Sequence, residues 1–293
     1  MKSIFWAAVL LFSLVAHSQS EPPQSGASTG EEAGPNSKGL VDGWPGRKPA
    51  PAKTVNAGPA PKHDISGTWD PGFRALQTVG ALSMPDDGKP GHLLPYTPLG
   101  LETLNRTLPS NGTRSVLPAE NNDPVFACDP QGMPREDLYE LRTTQILQTP
   151  LKMVMMYQFA KVWRVIWTDG RELPKDPEQR WYGYSVGKWV DDTTLVVETS
   201  GTDERTWIDR AGRPHSADLH VEERFHRVDL GHMDLTVTID DPKMYKKPWV
   251  AVDKLRFELQ PPDYDVREMI CSPSEFAEYN KLVGGPASEK GSK

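Results

Sequence analysis

The densest set of side chains able to do chemistry lies between Asp203 and His232. Leu219-His220-Val221-Glu222-Glu223-Arg224-Phe225-His226 reads as a strand, whose side chains point alternately to its two faces. One row carries Leu219, Val221, Glu223 and Phe225, and the other carries His220, Glu222, Arg224 and His226. The run that follows repeats the pattern, with Met233, Leu235, Val237 and Ile239 on one face. Glu223 is therefore expected to point inward among apolar side chains. A carboxyl group taken out of water without a partner titrates high, which suits a general acid or base near neutral pH. The structural alternative is a bond to a buried arginine, with Arg142, Arg164 and Arg171 as partners by type.

Just before that strand, Asp203, Trp207, Asp209, His215 and Ser216 fall in a polar segment between two strands. Loops at the end of a barrel commonly hold functional groups, and a histidine beside a carboxylate acts as a base. Glu223, His215 and Asp209 are the candidate catalytic set for acid–base or metal-assisted chemistry of hydrolase or lyase type. A Ser-His-Asp arrangement using Ser216 lacks a nucleophile elbow. His215 and His220 are the candidate ligands of a divalent metal such as zinc, although their spacing matches no established signature. Trp163, Trp167 and Trp207 are candidates for lining a ligand cavity, whereas most tryptophans should be core.

These residues need a scaffold, and the pattern of the chain predicts a mainly β one. Residues 64–70, 143–148, 151–158, 162–168, 182–190, 193–199, 219–228, 232–240, 249–259 and 266–271 read as strands or strand fragments, giving about eight or nine strands in one domain. Their short links predict antiparallel pairing, in a barrel or a sandwich that blunts exposed edges. The barrel is preferred, because the links read as successive hairpins. Ser272-Pro273-Ser274-Glu275 is a capping box that opens a C-terminal helix, with Phe276, Tyr279 and Val283 as the face expected to pack on the barrel. Thr97-Pro98 predicts a second, short helix with Leu101, Leu104 and Leu108 on its apolar face.

Residues 1–20 have the charge, apolar run and small-residue end of a signal peptide, with cleavage expected near Ser18 or Ser20. Residues 21–62 are rich in Pro, Gly and Ser and read as a disordered tether, residues 63–283 as the β domain, and 284–293 as a disordered tail. The predicted location is secreted or periplasmic. No later run is long and apolar enough to span a bilayer. The formal charge of -7 comes with no basic stripe, which argues against a nucleic-acid partner. The two cysteines, Cys128 and Cys271, are expected to form one disulfide in an oxidising compartment. It would close a loop of about 143 residues, worth at most about 5 kcal/mol on the chain-entropy model.

Several motifs together carry a resemblance. They are Asp123-Pro124 with Cys128 and Gly132-Met133-Pro134-Arg135, Trp167-Thr168-Asp169-Gly170-Arg171, Gly183 through Trp189, Leu195 to Thr199, and Pro214-His215-Ser216 with Leu219-His220. Over roughly residues 64–283 the chain resembles a widespread family of secreted bacterial proteins of unassigned function. That resemblance implies a bacterial, exported, single-domain protein and supplies no catalytic residues. Gly67-Thr68-Trp69 also looks like the opening motif of lipocalin-type barrels, where the tryptophan packs beneath the barrel floor. By analogy of fold, that likeness implies a small apolar or aromatic ligand. The sequence thus favours an exported β-barrel protein that binds a small, largely apolar or aromatic molecule. The alternative is a secreted enzyme acting on a small-molecule substrate.

Overall fold

Two-residue alternation along the chain closes into a barrel. The computed structural model describes residues 58–72, 78–139 and 141–286, with the backbone of 40–41 and 44–45. Residues 1–47 and 48–293 form separate units. In the first, the described part is one antiparallel pair, Leu40–Val41 with Trp44–Pro45. The expected signal peptide, most of the expected tether and residues 287–293 lie outside the described residues.

In the second unit the barrel strands are β1 (Gly67–Asp70), β2 (Thr144–Gln148), β3 (Lys152–Tyr157), β4 (Trp163–Trp167) and β5 (Tyr184–Trp189). They continue with β6 (Thr194–Ser200), β7 (His220–Arg227), β8 (His232–Asp240) and β9 (Trp249–Leu259). Each strand pairs with its neighbours in sequence, and β9 closes on β1. Nine strands cannot alternate direction all the way round a ring, so one pair must be parallel. It is β4 with β5, in the register Ile166 to Ser185 and Trp167 to Val186. The link between them, residues 168–183, is therefore a crossover and not the hairpin that the sequence suggested. Residues 266–271 form no strand.

The inward rows fill the barrel. Ile146, Met153, Ile166, Val197, Phe225 and Val237 are each almost fully buried. At one end Trp69 donates its indole N–H to the Ile65 carbonyl, and the Arg227 guanidinium lies 4.5 Å over its ring. Arg227 spreads its donors over the carbonyls of Asp64, Asp229 and Leu230, which satisfies its charged head beside an apolar core. The void left in the barrel interior measures about 10 Å³ and is lined by Trp69, Asp137, Tyr157, Phe225 and Phe257 among others.

Part of that filling comes from outside the sheet. Residues 131–138 are all buried, and the short helix Arg135–Leu138 (α2) brings Asp137 to the interior void. Gly132 has φ +71°, and a Cβ there would sit 2.5 Å from the Trp181 carbonyl oxygen. Only glycine combines that left-handed backbone with so close an approach.

Two further helices lie outside the barrel. For the helix Pro98–Leu104 (α1), Thr97 accepts the cap bond from the Gly100 N–H. Its predicted leucine face is not what docks it. Leu101 is half exposed, and the buried residue is Gly100, whose missing side chain admits the Met244 carbonyl. The C-terminal helix Pro273–Tyr279 (α3) starts with Ser272 accepting from the Glu275 N–H, then runs through Asn280–Gly284. It does not lay Phe276, Tyr279 and Val283 on the barrel. Tyr279 and Val283 are half exposed, and Phe276 stacks at 6.0 Å on Phe126. A disulfide between Cys128 and Cys271 ties that region together.

Candidate functional site

Glu223 does point into the barrel and is fully buried. It is not isolated. The Arg164 guanidinium on β4 donates from Nη2 to both of its carboxylate oxygens, at 2.6 and 2.8 Å. Arg164 is itself buried, and its Nε and Nη1 have no hydrogen-bond partner. The structural alternative foreseen for Glu223 is thus what the fold builds.

The interior carries two more acids, both from α2. Burial, then the neighbouring Glu223, holds the Asp137 carboxyl well above the usual carboxylate range. Burial also pushes Glu136 up to about 8, against the bond from Tyr182 and the charges of Arg164 and Arg135. The Tyr182 hydroxyl donates to Glu136 Oε2 at 3.5 Å. Arg135 acts on Glu136 only through its charge, because its guanidinium forks onto the buried Asp123 carboxylate at 2.8 and 2.6 Å. The sequence reading missed Glu136 and Asp137. The only signal was three consecutive charges, Arg135-Glu136-Asp137, in a stretch that otherwise reads as loop.

The polar segment before β7 forms different networks. Asp209 accepts from the backbone N–H groups of Ala81 and Ala211 and from Arg213. Its carboxylate thereby ties its own loop to the segment at Ala81, the work of a structural anchor. The buried His215 places Nε2 2.7 Å from the Thr206 hydroxyl and Nδ1 3.1 Å from the Ser216 carbonyl. Burial lowers its pKa, so the ring stays neutral. Ser216 donates its hydroxyl to Asp241. Neither the triad nor the grouping of Glu223 with His215 and Asp209 is formed, since each has its own separate partners.

The proposed metal pair is also divided. His220 lies on the outward face of β7 with Nε2 3.7 Å from Glu198, while His215 is buried against Thr206. Among the described residues, no three His, Cys, Asp or Glu side chains converge as a metal-ligating group. Among the described residues the three tryptophans stand in different surroundings. Trp163 is 63% exposed on the barrel exterior. Trp167 is covered by Arg171 at 3.6 Å, and Trp207 is buried under Arg135 at 5.4 Å.

Space for a ligand exists elsewhere. A cleft of about 670 Å³ opens between the 110–127 region and the C-terminal helices. Phe126, Phe276 and Tyr279 give it aromatic faces, and Asn111, Asn121 and Asn280 supply side-chain amides. Among the described residues its one charged wall residue is Asp123, whose carboxylate is already paired with Arg135. The disulfide joins its two sides, because Cys128 follows Ala127 and Cys271 precedes α3. A second hollow of about 810 Å³ is lined by charged side chains that include Asp70, Asp253 and Glu258. Gly72 and Thr78 border that hollow, and the chain between them lies outside the described residues. No family model, curated protein or solved structure matches this chain.

Proposed function

We propose that this is an exported β-barrel protein that binds a small, neutral, partly aromatic molecule in the cleft between residues 110–127 and the C-terminal helices. The observation that carries this reading is a contrast of volumes. The cleft offers about 670 Å³ and the barrel interior about 10 Å³. Ligand sites commonly span about 300–1,000 Å³, whereas an interior of this size is at the limit for one water. The ligand's seat is thus outside the barrel, contrary to the usual arrangement in lipocalin-type proteins that the opening motif resembles.

The chemistry of the wall selects the ligand class. Three aromatic rings favour a flat apolar face, and amide groups favour neutral hydrogen-bonding substituents. With Asp123 paired with Arg135, the described wall residues favour a neutral ligand. Export is supported by the disulfide, which persists in oxidising compartments, and by the resemblance to secreted bacterial proteins. Among the described residues no helix is long and apolar enough to cross a membrane.

Titration with the neutral aromatic fluorophore N-phenyl-1-naphthylamine tests the assignment. Saturable binding is expected, weakened about tenfold in Phe276→Ala, the loss of about 1.4 kcal/mol of ring contact. Unchanged affinity in both Phe276→Ala and Phe126→Ala would place the binding elsewhere and defeat the proposal.

A further inference from the structure

Residues 131–138 have an unusual composition for a fully buried segment that reaches the barrel interior through Asp137. Arg135, Glu136 and Asp137 are consecutive, and each is at most 2% exposed. The arginine is paired with Asp123, but among the described residues neither acid has an ion-pair partner of its own. Arg164, the one cation near them on the barrel wall, is held by Glu223. Asp137 Oδ2 has no hydrogen-bond partner, and the charge of the neighbouring Glu223 adds to burial in holding the Asp137 carboxyl well above the usual carboxylate range. A second charge on Asp137, beside a carboxylate already bonded to Arg164, is disfavoured in a dry interior, so Asp137 is held in its neutral form.

The surroundings of Glu136 lead to the same demand. The groups that face it and Asp137 are Tyr182 of the crossover, Tyr157 of β3, Arg164 of β4, Glu223 of β7 and Arg135 of α2 itself. The two positive charges in this set are already bonded to carboxylates, Arg135 to Asp123 and Arg164 to Glu223. An ionised Glu136 would add a net negative charge to the interior with only the Tyr182 hydroxyl, at 3.5 Å, to receive it. All nine barrel strands pair with one another and none pairs with residues 131–138, which meet the barrel through side chains such as Leu138 and Asp137.

We propose that residues 131–138 are a proton-locked plug, seated while the Glu136 and Asp137 carboxyls are neutral and released from the barrel when they ionise. This inference is independent of the cleft assignment. Burial raises Glu136 from 4.5 to about 8, which sets the direction and window. A raised acid is worth most to the seated state below the unfolded value, and that contribution is lost as pH rises towards 8. The seated-to-released ratio from Glu136 alone falls by up to about a thousandfold across that window. Asp137 acts in the same direction.

Hydrogen exchange of the mature chain, read by mass spectrometry and corrected for intrinsic rates, tests the plug between pH 5 and 9. Protection of peptides covering 131–139 should fall as pH rises, while peptides of β8 and β9 keep theirs. In Glu136→Gln/Asp137→Asn the same peptides should stay protected to pH 9. A wild-type profile that is flat for 131–139, or an equal fall in the double variant, overturns the proposal. If the double variant does not fold, the wild type decides. Loss confined to 131–139 supports the plug, and loss shared with the strands overturns it.

Discussion

At the scale of the residue, the interior of this protein is decided by which charges find partners. Arg164 Nη2 donates to both carboxylate oxygens of Glu223 in full burial. Removing one member of such a pair leaves the other charged and dry, whereas removing both is far less costly. Arg164→Met should destabilise the protein by about 3–5 kcal/mol in urea denaturation, and Arg164→Met/Glu223→Leu should recover most of that loss. His215 makes a prediction of the opposite kind, on the acid side. Burial lowers its pKa below the ordinary 6.5, so the folded state resists protonation. The unfolded chain binds the proton more readily, and stability should fall as pH drops below about 6.5. His215→Gln, which keeps a hydrogen-bonding head without a titrating one, should flatten that part of the profile of Tm against pH. An acid limb as steep in the variant as in the wild type would assign the dependence to other groups.

At the scale of the element, the outward and inward rows of β7 and β8 were legible because alternation is a local property. Glu223 falls on the buried row in the sequence pattern and in the structure alike. The partner of Glu223 was legible only as a choice among arginines, because pairing across the barrel depends on how β4 sits relative to β7. The crossover between β4 and β5 was not legible either. It follows from the parity of nine strands, which no local window contains. Nor was the plug, since Gly132-Met133-Pro134 looks like loop until the backbone around Gly132 is seen against Trp181 and Thr206. The docking of α1 shows the same limit. Its leucines suggested an apolar face, but contact is made through Gly100, where a Cβ would lie 2.0 Å from the Met244 carbonyl oxygen. Gly100→Ala should therefore cost about 1–3 kcal/mol despite alanine's better helix propensity, measurable as a lowered urea midpoint with unchanged slope.

At the scale of the whole molecule, the barrel serves as a filled scaffold and the ligand-sized cleft is built on its outside. The disulfide holds that cleft together across 143 positions of sequence. Cys128→Ser/Cys271→Ser should lose up to about 5 kcal/mol of stability, and the fluorophore should bind the folded double variant more weakly than the wild type. Solution NMR of the chain from residue 21 onward, as N-phenyl-1-naphthylamine is added, shows whether the ligand sits outside the barrel. Amide shifts concentrated in residues 110–127 and 272–285, with little change in β3 and β7, are the predicted result. Shifts centred instead on the inward rows of β3 and β7 would place the ligand in the barrel and contradict the account.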